Sequence, residues 1–356
     1  MKQLVLVKLK LIALSSLILP VLLFATMVLF PGCKDDNANP TASYERVNLV
    51  ASTTGYGAAR IDTNLVNAWG VAIGPTGAFW ISSTEKDLTT VYDRNGLTLL
   101  SPVTVEGEPT GVVYNGTTDF VIPSTILTSK FIYVGEEGTV HSWNSGLISV
   151  KVADNSSSGA VYKGLAIAAD GDVNFLYIAN FSEGDIDVLD KNFNYVSTKP
   201  FADPTIPAGF APFNIQNIGG KLYVTYAKQG PDNDDVKGAG NGYVNIFNAD
   251  GTFVKRFASQ GTLNSPWGIT KAPDSFDQGS GAILIGNFGD GRINIFSKDG
   301  DYVGQLKDGN TPISIDGLWS LTFPSNGIPS GDQNQLFFTA GPDGEDQGLF
   351  GYIQLR

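Results

Sequence analysis

The chain has one cysteine, Cys33, and one histidine, His141, among 356 residues. No disulfide can form within it, and Cys–His nucleophile pairs, multi-histidine zinc sites and repeated haem motifs are excluded. A Ser–His–Asp triad would rest on His141 alone. That residue lies in an alternating run, residues 138–143, at a polar, outward column where comparable runs carry Asp187, Asn245 and Asn294, so it reads as a structural or surface histidine. Basic residues are also scarce: 23 Lys and Arg stand against 35 Asp and Glu, a net charge of −12 with no basic stripe. Such a surface repels nucleic acid and anionic membranes. The glycine-rich string 286–291 leads from one strand-like run into another rather than into a helix, so it is no nucleotide fingerprint. Carboxylates are plentiful, but none is paired with another at a defined spacing. Long apolar runs are missing too, apart from residues 11–30.

That one run follows Lys2, Lys8 and Lys10 and ends at Phe30-Pro31-Gly32-Cys33. A basic start, an apolar middle and a small residue before a cut site describe an export signal. The string resembles a bacterial lipoprotein signal, with Gly32 before the cysteine that such signals acylate. An uncleaved anchor is the alternative, since about 20 apolar residues span a bilayer. The expected organisation is a signal peptide over residues 1–32, an acylated Cys33 with a polar tether over 33–43, and a folded domain over 44–356. Lys34-Asp35-Asp36 resembles the surface-export signal of Bacteroidetes lipoproteins. These resemblances imply an exported outer-membrane lipoprotein, exposed at the cell surface where that signal is read, which meets the membrane only through its acyl anchor.

What the chain has in abundance is a repeat. A short apolar run opening on Trp-Gly or its counterpart recurs six times, marked by Gly70, Gly111, Gly164, Asn214, Gly268 and Ser320, at intervals of 41 to 54 residues. Periods of this size signify a solenoid or a propeller. Each marker is followed by an aromatic-rich run such as residues 79–82 or 222–225, then by a strictly alternating one such as 243–248 or 292–297, the pattern of half-buried strands. Asn95-Gly96, Asp250-Gly251 and Asp299-Gly300 then supply hairpin turns into a fourth, more polar run. Four antiparallel strands repeated six times predict an all-β, six-bladed β-propeller. The last copy lacks a fourth run, and residues 44–51 form an unassigned strand before the first copy. We expect this strand to complete blade six and join the two ends of the chain.

The strings Leu65-Val66-Asn67-Ala68-Trp69-Gly70, residues 211–220 and 286–294, and Asp316-Gly317-Leu318-Trp319 resemble NHL-type propellers, and in particular an uncharacterised family of exported bacterial proteins, some carrying a PEP-CTERM sorting tail. The resemblance runs from about residue 47 onward. It implies the propeller fold and brings no established activity; the sorting tail is missing here.

In such a blade the loops entering the first strand and those joining the second to the third emerge on one face. There the position before each marker is Trp69, Thr110, Lys163, Phe213, Trp267 and Trp319, with Asn67, Glu108, Asn264 and Asp316 just upstream. The same face gathers the repeated Asn-Phe-x-x-Gly at 180–184 and 287–291 and an Asp-rich insertion, residues 228–242. Repeated aromatics suit packing between blades, and Asn-Phe-x-x-Gly suits a turn. The insertion lacks the spacing and closing Glu of a calcium loop and reads as a solvated loop. The candidate binding residues are Trp69, Glu108, Lys163, Asn214, Trp267, Asp316 and Trp319, with no catalytic residue assigned. The leading expectation is a monomeric, lipid-anchored binding or scaffolding module for a protein or glycan, without cofactor. The alternative is a Ca²⁺-dependent hydrolase with Glu108, Asn214 and Asp316 as ligands, because Asp316-Gly317-Leu318 resembles one ligand motif of calcium-dependent lactonases built on six-bladed propellers.

Overall fold

Alternating runs separated by Gly-containing turns become antiparallel sheets, and all six expected blades form. The computed structural model describes residues 42–325 and 329–356, which fall within the unit Asp36–Arg356. The leader, Cys33 and nearly all of the tether lie outside the described residues. Among the described residues no helix is long and apolar enough to cross a membrane.

From the axis outward, blade one comprises Ala68–Ile73, Phe79–Ser83, Leu88–Tyr92 and Val103–Thr104. Blade two has Pro109–Tyr114, Phe131–Gly135, Thr139–Trp143 and Val150–Asp154, and blade four Phe210–Ile218, Lys221–Lys228, Gly242–Phe247 and Phe253–Ser259. Blade five has Pro266–Lys271, Ile283–Asn287, Ile293–Phe296 and Tyr302–Gln305. Blade three differs, with only Tyr162–Asp170, Val173–Asn180 and Asp185–Leu189 in its sheet. The chain that follows carries Pro200, Pro204 and Pro207, which have no N–H to give a ladder. It meets the edge strand at the Leu189–Tyr195 bridge and through Val196 N–H to Val188 O at 2.8 Å.

Blade six closes the ring as expected. Leu318–Thr322, Gln335–Ala340 and Leu349–Leu355 are followed by Tyr44–Ala51, which pairs antiparallel with Leu349–Leu355 from Tyr44 opposite Leu355 to Ala51 opposite Leu349. Arg60–Ile61 adds a short parallel fifth strand. The backbone N–H of Arg356 donates to Ser43 O at 2.9 Å, so the two ends of the described chain meet.

The marker positions are small because the inner strands crowd the axis. A Cβ on Gly268 would lie 2.5 Å from the carbonyl oxygen of Trp319, and one on Gly70, Gly111 or Gly164 would collide with Thr110 O, Leu165 or Asn214 of the next blade. Side chains on the inner strands and the loops near them fasten four of the junctions between neighbouring blades. Thr84 Oγ1 donates to Pro109 O at 2.8 Å, Thr110 Oγ1 to Tyr162 O at 2.8 Å, Asn214 Nδ2 to Trp267 O at 2.9 Å, and Ser320 Oγ to Trp69 O at 2.8 Å. His141 is buried rather than outward, its Nδ1 lying 3.1 Å from Ser149 Oγ. Burial pushes its pKa down.

Candidate functional site on the propeller axis

The aromatic residues that precede the markers converge where the inner strands begin. Trp69, Phe213, Trp267 and Trp319 pack with Phe181 and Phe288 into one buried cluster, none more than 4% exposed. Trp319 is sandwiched between Trp69 (ring centroids 3.7 Å apart, 14° between planes) and Phe288 (3.8 Å, 10°), while Trp267 meets both tryptophans edge-on. Phe181 and Phe288 arrive from the two Asn-Phe-x-x-Gly turns, where Gly184 N–H and Gly291 N–H each donate to the turn asparagine's carbonyl at 3.0 Å. The motif is therefore a turn that also delivers a ring to the axis. The cluster plugs the loop-side mouth, and the indole N–H groups of Trp69 and Trp267 find no partner within it.

Ionisable side chains crown the plug. Lys163 is 3% exposed, ion-pairs with Glu136 and lies over Trp69 and Phe181, its Nζ 5.2 and 5.7 Å from the ring centroids. Lys237 lies over Phe288 at 4.0 Å. The indole N–H of Trp319 donates to Asn67 Oδ1 at 2.9 Å, and Asn67 Nδ2 donates to Glu345 Oε2 at 2.8 Å, so a polar relay rises from plug to crown. Burial pushes the Glu345 carboxyl up to about 7; Glu136 adds to the shift, while Asn67, Lys163 and Lys237 oppose it. Burial likewise raises the pKa of Asp235 against the hydroxyl of Ser265 and the charges of Lys237 and Lys163, and its Oδ2 is buried without a well-formed hydrogen bond. Glu108 is also raised, by burial and then by Glu136, Glu85, Glu137 and Asp87, on a backbone with φ of 55°.

The residues singled out from the sequence thus fall in four places. Trp69, Trp267 and Trp319 form the plug. Lys163 and Glu108 belong to the crown. Asn214 lies under the plug with its amide committed to Trp267 O and to Ile215 N–H at 2.8 Å, and Asp316 is exposed, accepting from Asp343 N–H at 2.8 Å. Glu108, Asn214 and Asp316 share none of these partners. Among the described residues no three His, Cys, Asp or Glu side chains converge to hold a metal ion.

Four crown residues escaped the sequence reading: Glu136, Asp235, Lys237 and Glu345. All sit in loops joining the second and third strands of blades two, four and six, so loop position alone could have nominated them. Asp235 belongs to the insertion expected to be a solvated loop. It is instead turned inward, the insertion being held down by Gly238 N–H to Asn264 Oδ1 at 2.6 Å.

Below the plug the axis opens toward the other face. A cavity of about 40 Å³ touches Asn214, Gln216, Trp267 and Ser320. It runs into a funnel of about 250 Å³ walled by Val71, Ile73, Val113, Tyr114, Ile167 and Phe323.

Solved structures of similar fold include virginiamycin B lyase from Staphylococcus aureus (TM-score 0.53, 10% identity, 88% of this chain and 99% of that one). A protein described as a putative gluconolactonase has a TM-score of 0.54 and 16% identity over 90% and 94% of the two chains. A protein of unknown function from Bacteroides thetaiotaomicron has a TM-score of 0.56 and 10% identity over 88% and 77%. At such identities the likeness is one of fold, the β-propeller. No protein-family profile matches the chain.

Sequence relatives are much nearer. Uncharacterized protein R648 of Acanthamoeba polyphaga mimivirus is 40% identical over 328 residues, 86% of this chain and 80% of its own. Uncharacterized protein L690 of the same virus is 36% identical over 328 residues, 86% and 85% of the two chains. These relatives correct two expectations. They are viral proteins rather than exported bacterial NHL proteins with sorting tails. They also overturn the assignment to a bacterial outer membrane, which rested on a short leader pattern around Cys33, whereas the match to the viral proteins extends over most of the chain. The chain belongs to the family of β-propeller proteins that includes mimivirus R648 and L690.

Proposed function

We propose that this propeller is a binding module whose loop-side mouth is the recognition surface for a partner protein or a glycan. The observation that carries the reading is Asp235, an inward-turned carboxylate above the aromatic plug whose buried Oδ2 has no well-formed hydrogen bond, only the pull of the Ser265 hydroxyl. A buried acceptor without a partner costs roughly 1–3 kcal/mol, and a ligand that donates to it recovers that cost. Glu345, held near neutrality by burial, offers a second group that answers a cation or a hydrogen-bond donor. The tryptophans act as the rigid floor; buried to within a few per cent, their faces are occupied by one another rather than free to stack on a sugar. Rigid scaffolds carrying such groups on their loops are the usual setting for recognition.

The test is a glycan array and a peptide array probed with the wild-type protein and with the double variant Asp235→Asn, Glu345→Gln. The expected result is a discrete set of hits that weaken at least about tenfold in the variant, equivalent to roughly 1.4 kcal/mol. Hits indifferent to the double substitution, or none at all, would remove this surface from consideration.

The lactonase-like alternative has one specific support, since a carboxyl with a pKa near 7 suits a general base. It calls for hydrolysis of an aliphatic lactone that Glu345→Gln abolishes, followed by acid release with and without added Ca²⁺.

A further inference from the structure

The opposite end of the axis differs chemically from the crown. The 40 Å³ cavity and the 250 Å³ funnel share Val71, Val112, Gln216 and Thr322, so they form one blind passage that ends at the plug. Among the described residues no Asp, Glu, Lys, Arg or His lines either part, in a chain of net charge −12 whose other mouth is crowded with charge. The walls of the funnel mix aliphatic and aromatic side chains with the neutral polar ones of Gln216, Asn217, Thr322 and Ser325. The inner strand of each blade pairs on one side only, which leaves backbone N–H and C=O groups along its other edge. These are uncharged donors and acceptors. Among the described residues the exposed carboxamide of Gln216, common to funnel and cavity, has no hydrogen-bond partner. Asn217 beside it is committed to Ile167 O at 2.9 Å and to Gly220 N–H at 3.0 Å.

We propose that this passage is a second binding site, for a small neutral molecule that carries a carboxamide or hydroxyl group on a short apolar body. The polar end would meet Gln216, with Asn214 and Ser320 beyond it, and the apolar end would lie against Val113, Ile167 and Phe323. An ion placed there would lose its hydration and find no counter-charge. The funnel is slightly smaller than the roughly 300–1,000 Å³ of drug-sized pockets, which sets the scale of the ligand at a short chain. The site is independent of the loop-side crown, and the plug separates the two.

The experiment titrates the full chain with hexanamide and 1-hexanol, and with the charged isosteres hexanoate and hexylammonium, following tryptophan fluorescence because Trp267 borders the inner cavity. The neutral probes should bind with a Kd of about 1 mM or tighter, and the two ions at least about tenfold more weakly. Gln216→Ala, at an exposed position where folding is not at stake, should weaken hexanamide about tenfold. Ile167→Trp, at a half-buried position on the funnel wall, should abolish binding. Asp235→Asn with Glu345→Gln should leave it unchanged, so failure here and failure of the loop-side surface are distinguishable. Equal binding of neutral and charged probes, no binding of either neutral probe up to about 10 mM, or indifference to Gln216→Ala would overturn the proposal.

Discussion

Glu345 illustrates how one side chain couples the crown to stability. Its carboxyl is held up to about 7, from an ordinary 4.5, by burial above the aromatic floor. Between those values the folded protein keeps a proton that the unfolded chain has released, so stability must fall as pH rises. The contribution is complete below about pH 4.5 and is lost as pH climbs through about 7. With its partial exposure allowed for, it is on the order of 2 kcal/mol. Glu345→Gln keeps an acceptor for Asn67 but cannot ionise. Its Tm should therefore overtake the wild type as pH goes from about 4.5 to 8, with a smaller slope persisting from Asp235, which shifts in the same direction. Melting curves for the two proteins across that range check this, and an unchanged slope in the variant would show that Glu345 ionises normally. Asn67 was visible in the sequence as a residue upstream of the first marker, yet its role was not. Linking Trp319 to Glu345 requires contacts across 252 and 278 residues of chain, which no local pattern encodes.

The inner strands behave as staves that touch at their small residues. Gly268 should not tolerate a methyl group, because its Cβ would stand 2.5 Å from Trp319 O, a backbone atom that cannot rotate away. Gly268→Ala is expected to cost about 1–3 kcal/mol through overpacking. Ser320→Ala, which removes one bond to Trp69 O, should cost only about 1 kcal/mol. Urea unfolding of both variants measures the contrast, and equal losses would contradict the account. Trp319→Ala empties the middle of a three-ring stack and should cost about 3–5 kcal/mol, the signature of core rather than of a ligand contact. These elements were legible because period-two runs, turn glycines and the marker spacing are local signals. The residues that interrupt the marker series were harder to interpret. Asn214 replaces a glycine, which suggested function, whereas it serves as an interblade clip, giving Trp267 O the bond that Ser320 gives to Trp69 O. A side chain that fastens one blade to the next and one that awaits a ligand look alike until their partners are known.

At the scale of the whole molecule, closure was readable by elimination, since a blade short of one strand and a strand short of a blade must find each other to avoid an open edge. The plug and the blind passage were not readable, because both depend on which side chains meet across the axis. Closure also makes a prediction about connectivity. Tyr44–Ala51 holds Leu349–Leu355 along its full length, and Arg356 N–H reaches Ser43 O, so joining position 356 to position 43 by a short Gly/Ser linker introduces no strain. New termini are then free to be opened at Gly219-Gly220, where both residues have positive φ and empty space around them, in a turn of the kind that tolerates chain breaks. Such a permutant, lacking residues 1–42, should be monomeric by gel filtration and melt within a few degrees of the parent domain, because every interblade contact survives and the sealed strand pair no longer frays. If Tyr44–Ala51 is instead deleted, the Leu349–Leu355 edge is bare and the buried Leu49 and Val50 leave a gap against blade one. That truncation should associate or aggregate. A permutant that aggregates while the truncation stays monomeric and stable would mean that the ring is held by something other than the strand that seals it.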